Sequence, residues 1–210
     1  QRRRDLPQPR GRRPPRWRLS WVICDMSLSG ITVRPIRNMA GANHFAEVFY
    51  DNVRIPLTEV VGDLHDGWNT AMTTLGLERR TAAMALQLEL SVKVEQIITL
   101  ADPHPGTAMA ETLADLRARA AAIRAMTYRT ALRDPLTPFD GSLVRLAFAT
   151  LAQDIYRTSI EILGSAALID GPWSHDYLES YSETIAGGTA EIQRNIIGER
   201  ILGLPREPRQ

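Results

Sequence analysis

Apolar residues recur at helical spacing over most of the chain and alternate, as in strands, over a short stretch before it. From Gly67 onward Trp68, Ala71, Met72, Leu75, Ala82, Leu86, Leu90, Val94 and Ile97 follow at three- or four-residue steps, broken once, at Glu78. This predicts a helix from Gly67 to about Leu100. Asp102-Pro103-His104-Pro105-Gly106 ends it, and Thr107 caps a second helix carrying Met109, Leu113, Leu116, Ala120, Ile123 and Met126, closed by Asp134-Pro135. A third follows Asp140-Gly141, with Leu143, Ala147, Leu151, Ile155 and Ile162 on one stripe, and stops near Gly164. After an irregular loop Thr189 caps a fourth, Ala190 to Leu202, with Gly203 and Pro205 as its stop signals. Four amphipathic helices predict a bundle over residues 67–210.

Upstream, WVICDM, ITVRPI and AEVFY read as three or four short strands separated by turn residues, with Val48 and Tyr50 on one face and Glu47 and Phe49 on the other. Pro56 ends the pairing. So few strands cannot close a barrel, so residues 21–66 are expected to be part of a β-domain. Residues 1–20 hold eight Arg and four Pro with no periodicity, and a disordered leader is expected there. The fold class is therefore mainly α: a C-terminal four-helix bundle preceded by a partial β-domain.

Composition adds an asymmetry to this picture. The net charge of +1 hides a basic leader, because the remaining residues hold 17 basic and 23 acidic side chains. Basic, Pro-rich tails with an aromatic such as Trp17 can bind nucleic acid, but an unstructured leader without that role is the expectation. One cysteine, Cys24, forms no internal disulfide and fits a reducing compartment. No run approaches the ~20 apolar residues of a membrane span, so no membrane partner and a cytoplasmic location are expected.

Two places carry candidate chemistry. Glu78 falls on the inward stripe between Leu75 and Ala82. A carboxylate among apolar groups has its pKa raised and becomes a competent base. On spacing alone, a Glu at the edge of the stripe paired with Arg79, Arg80 or a neighbouring helix is the commoner arrangement. The second place is Ile185-Ala186-Gly187-Gly188-Thr189-Ala190-Glu191, where two glycines precede a capped helix and backbone N–H groups converge on a position suited to a phosphate or carbonyl oxygen. Glycines before a helix more often serve only to permit positive φ.

Taken together, GITVRPIRNMAGANHFAEVFYDNVRIP, VVGDLHDGWNTAMTTLGLERR and IAGGTAEIQRNIIGERILGLP resemble acyl-CoA dehydrogenases in content, order and spacing, over residues 21–210. The resemblance implies an FAD-dependent α,β-desaturation of an acyl-CoA thioester to a trans-2-enoyl-CoA. Most members carry the catalytic Glu directly before the final Gly-Thr, where this chain has Gly187. Leu77-Glu78-Arg79 matches the minority branch that takes its base from the helix after the β-domain, which makes Glu78 the favoured base. By the same resemblance the Gly187 N–H donates to the thioester carbonyl, Gly188, Thr189 and Glu191 approach FAD, and Arg79 contacts the CoA portion or holds Glu78. No metal is implied.

The chain also departs from the family. TLADPHPGTAMAETL replaces an Arg-x-x-Phe-Gly segment, and Glu161-Ile162-Leu163-Gly164-Ser165 keeps only Gly164 of a flavin-contacting Gln-x-x-Gly-Gly motif. Ala186 stands where relatives place an aromatic residue, leaving a roomier pocket wall. The N-terminal helical domain and early β-domain have no counterpart here, and the leader reads like an out-of-frame stretch. The expectation is a carboxy-terminal fragment with little activity alone. The alternative is a non-catalytic subunit that assembles with a paralogous acyl-CoA dehydrogenase. Partners implied are an acyl-CoA, a homo- or hetero-oligomer formed through the bundle, and an electron-transfer flavoprotein or similar acceptor.

Overall fold

The structure, a computed structural model, describes residues 19–132 and 140–206, without the side chains of 76–83 and Asp140. The disorder expected for residues 1–20 lies almost wholly outside the described residues, as does Asp134-Pro135. The chain divides into two compact units, one within residues 1–34 and 47–75, the other within residues 35–46 and 76–210.

Among the described residues four strands form, in two pairs. Strand β1 (Trp21–Val22) runs antiparallel to β4 (Val60–Val61), and β2 (Ile31–Ile36) pairs with β3 (Phe45–Tyr50). The alternation in β3 does not sort its side chains into an inside and an outside, since Val48, Phe49 and Tyr50 are all exposed. Among the described residues no second layer covers this two-stranded ribbon, so the alternation has no interior face to reward it.

The helices follow the predicted spacing closely. α1 covers Gly67–Leu100, α2 Thr107–Leu132 and α3 Asp140–Leu163. Leu90, Val94 and Ile97 of α1 meet Leu113, Leu116, Ala120 and Ile123 of α2 and Val144, Phe148, Leu151 and Ile155 of α3 in one buried cluster. α3 is the central helix, packing against α2 and against the segments that follow it. Its Ser142, Leu151, Ile155 and Ser159 are all fully buried. Small residues at Ala149, Ala152 and Ser159 let neighbours approach it on several sides.

The loop predicted before the last helix is a correction: it contains α4 (Pro172–Glu179), flanked by 3₁₀ turns at Gly164–Leu168 and Ser180–Thr184. Gly171 and Pro172 supply the start signal, since proline at the first helical positions loses no hydrogen bond. α4 is fixed by Lys93 of α1, whose Nζ lies 2.7 Å from Asp176 Oδ2 and 5.0 Å from the Trp173 ring centre. The fourth predicted helix is α5 (Ala190–Ile196), continued by a π-turn over Ile197–Ile201.

Candidate functional site

The turn before α5 presents donors and conceals acceptors. Gly187 and Gly188 have φ of +68° and +103°, a region that side-chain-bearing residues rarely adopt. The carbonyls around them are taken by side chains. Arg145, on α3, donates from Nη2 to Ala186 O at 2.7 Å and from Nε to the same oxygen at 3.2 Å. Gln193, on α5, donates from Nε2 to Gly187 O at 3.1 Å and Gly188 O at 3.3 Å. By contrast, among the described residues no group accepts from the Gly187 or Gly188 N–H. Such a turn is complementary to an oxygen acceptor.

Each clamp is itself held. Arg145 also donates from Nη1 to the Glu183 carboxylate and from Nη2 to Glu183 O, both at 2.7 Å, so a single guanidinium ties the 3₁₀ turn to the diglycine turn. Gln193 is 1% exposed, and its Oε1 has no partner among the described residues. Because Nε2 must face two carbonyls, the orientation of this amide follows from its bonds. A Cβ at position 188 would lie 2.6 Å from Gln193 Nε2, so a side chain there would push the Gln193 amide away from the carbonyls it holds.

Thr189 caps α5 as predicted, its hydroxyl accepting from Ile192 N–H at 3.3 Å. The Glu191 carboxyl is held below its ordinary value, first by its own backbone N–H and then by the Thr189 hydroxyl. This local contribution is present above the unfolded Glu value and is lost as pH falls through the lower folded one. Residues 187, 188, 189 and 191 are thus gathered at one turn.

Residues 65–202 match the sequence profile of the acyl-CoA dehydrogenase C-terminal domain, well over half of the chain. The chain belongs to the acyl-CoA dehydrogenase family. It is 33% identical to the acyl-CoA dehydrogenase IpdE1 of Mycolicibacterium smegmatis over 201 residues, which cover 90% of this chain and 50% of that protein. Among solved structures, a variant of the Tcur3481-Tcur3483 steroid ACAD superposes with a TM-score of 0.76 at 25% identity, covering 93% of this chain and 55% of that one. The ChsE4-ChsE5 complex from Mycobacterium tuberculosis gives 0.74 at 26% identity, covering 90% and 53%. The chain therefore spans about half the length of these three relatives.

The other site residues of this acyl-CoA dehydrogenase chain are carried by other elements. Glu78 and Arg79 are carried by α1, and their side chains are outside the described residues. Gly164 directly follows α3, at the end opposite Arg145, roughly 28 Å away at 1.5 Å per helical residue. It does not join the diglycine turn. Among the described residues there is no cluster of three metal-ligating side chains and no helix long and apolar enough to cross a membrane. Sequence reasoning missed Arg145 and Gln193. A lone arginine in the apolar run Leu143-Val144-Arg145-Leu146-Ala147-Phe148, and a glutamine one turn after the Thr189 cap, were the available signals.

Proposed function

We propose that this chain supplies the carboxy-terminal half of an FAD-dependent acyl-CoA dehydrogenase, with Glu78 as the base and the Gly187 N–H as a donor to the thioester carbonyl. The observation that carries the reading is the diglycine turn, with the carbonyls of 186–188 capped and no acceptor among the described residues for the N–H groups of 187 and 188. An N–H aimed at the carbonyl oxygen stabilises the enolate-like charge that develops as the α-hydrogen leaves. Glu78 takes that α-hydrogen as a proton, and the electron pair it leaves becomes the α,β double bond as the β-hydrogen departs with its own pair. FAD, when bound, accepts that hydride. Gly188, Thr189 and Glu191 are the proposed flavin contacts at this turn, and Gly164, at the far end of α3, is proposed as a separate flavin contact. The N–H of Gly188 fits an acceptor edge of the cofactor, and Arg79 is assigned to the CoA portion or to holding Glu78.

The substrate proposed is a bulky, ring-bearing acyl-CoA. Two features support this: the small Ala186 in place of an aromatic wall, and the similarity to a protein whose name gives steroid as its class. The chain matches about half the length of these two relatives, and the substrate proposal concerns the part of the pocket that this half supplies. A second reading, a subunit without its own catalysis that assembles with a paralogous dehydrogenase, is favoured by the similarity to the two-component ChsE4-ChsE5 complex. An electron-transfer flavoprotein or similar acceptor would take the electrons onward.

Co-expression with a fuller acyl-CoA dehydrogenase, followed by co-purification and flavin absorbance, tests both readings. The leading one expects stoichiometric flavin whose yellow colour bleaches on adding an acyl-CoA, and loses this response when Glu78 is replaced. Bleaching that depends only on the partner's own base would favour the second. A mixed complex with no flavin would contradict both.

A further inference from the structure

We propose that Arg145 and Gln193 are positioning residues that fix the direction of the Gly187 and Gly188 N–H groups, and so set the carbonyl-binding strength of the turn. The inference deepens the functional reading above and rests on it.

In a planar trans peptide the carbonyl of one residue and the N–H of the next point in opposite directions, so fixing one fixes the other. Arg145 holds Ala186 O through two nitrogens, and thereby orients the Gly187 N–H. Gln193 holds Gly187 O and thereby orients the Gly188 N–H. Its second bond, to Gly188 O, does the same for the Thr189 N–H. Two consecutive glycines would otherwise let these planes rotate, since glycine has the widest backbone freedom of any residue. The turn needs left-handed φ at both positions, and the clamp removes the freedom that comes with it.

Arg145 adds polarisation to orientation. A cationic donor on Ala186 O draws charge through the amide and makes the Gly187 N–H a stronger donor, as linked hydrogen bonds reinforce one another. The guanidinium has little freedom to move away. It is 14% exposed, paired with Glu183 at 2.7 Å and stacked 5.4 Å from the Phe148 ring centre. Lysine keeps the charge but has no planar fork, so it cannot serve Glu183 and Ala186 together in this geometry. Position 187, with its φ of +68°, also disfavours the base used by most relatives. A Cβ there would lie 3.4 Å from Arg145 Nε, and a carboxylate on it would pair with that cation.

The test compares the full chain with its Arg145→Lys and Gln193→Met variants. Two-dimensional amide spectra come first. The Gly187 and Gly188 resonances are expected to shift and broaden in each variant while those of α2 stay in place, and glycine resonances that do not move would overturn the proposal. Acetoacetyl-CoA, whose enolate carries charge on the thioester oxygen, is then titrated into the flavin-loaded assembly, and turnover is measured with an acyl-CoA. Each variant is expected to lose about 10²-fold in kcat with KM little changed, the signature of a misplaced transition-state donor. Acetoacetyl-CoA binding is expected to weaken in parallel. An unchanged kcat, or a loss confined to KM, would overturn the positioning role. If the parent assembly binds no acyl-CoA, the functional reading fails instead, and the glycine resonances still decide whether the clamp holds the turn. Should Arg145→Lys fail to fold, Gln193→Met carries the same comparison from the other side of the turn.

Discussion

Replacing Glu78 by Gln is expected to lower acyl-CoA turnover in the flavin-loaded assembly by about 10²–10⁴-fold, the usual contribution of a positioned general base. The amide keeps the size and much of the polarity of the carboxylate but takes no proton from carbon. Flavin content, thermal stability and acyl-CoA affinity should therefore stay near those of the parent. Loss should be equally severe for exchange of the α-hydrogen with deuterated solvent, which isolates proton abstraction from the later hydride step. Arg79, next in sequence, bears on the pH profile: if it is held close to the carboxylate, it lowers the pKa of Glu78 and extends activity to lower pH. Near-normal turnover in the Gln variant would remove Glu78 from the mechanism. Position 187 offers no substitute, because its left-handed backbone disfavours any side chain and Arg145 would neutralise a carboxylate there.

The second large effect concerns the scaffold. Ile155→Ala is expected to destabilise the bundle by about 2–5 kcal/mol, the range for deleting a large aliphatic side chain from a packed core. Ile155 is fully buried on α3, the helix that also carries Arg145. The core cluster that contains it draws on three helices, so no single helix can shift to fill the void. A control at Leu168, which is 89% exposed, should change stability by no more than about 0.5 kcal/mol. Urea denaturation followed by far-ultraviolet circular dichroism measures both. Equal effects at the two positions would mean that α3 is not the centre of the core.

The long helices were legible because a 3.6-residue period sustained over many turns averages out individual exceptions. Leu90, Val94 and Ile97, or Leu113, Leu116 and Ile123, are buried where the spacing puts them. The same stripe is less predictive near the start of α1, where Trp68, Met72 and Leu75 are exposed. α4 was not legible as a periodic element, since eight residues give barely two turns, although Gly171-Pro172 marks its start. The strands of the ribbon were found but their faces were not, because alternation acquires meaning only against a second layer.

The site divides along similar lines. The diglycine turn and the Thr189 cap are local features, and spacing within a few residues exposes them. The Arg145 brace joins positions 41 residues apart, and no local pattern encodes a contact of that span. The role of Glu78 came from family resemblance, since helical spacing serves a surface ion pair equally well. What the fold adds is the identity of the groups that hold the turn rigid.

The central claim is best tested by a crystal structure of the flavin-loaded assembly containing this chain with a 3-thia-acyl-CoA bound. The account predicts the thioester oxygen within hydrogen-bonding distance of the Gly187 nitrogen, and the Glu78 carboxylate on the other side of the α-carbon, facing it. A thioester seated away from the diglycine turn, or a Glu78 carboxylate directed to solvent while the ligand is bound, would contradict it.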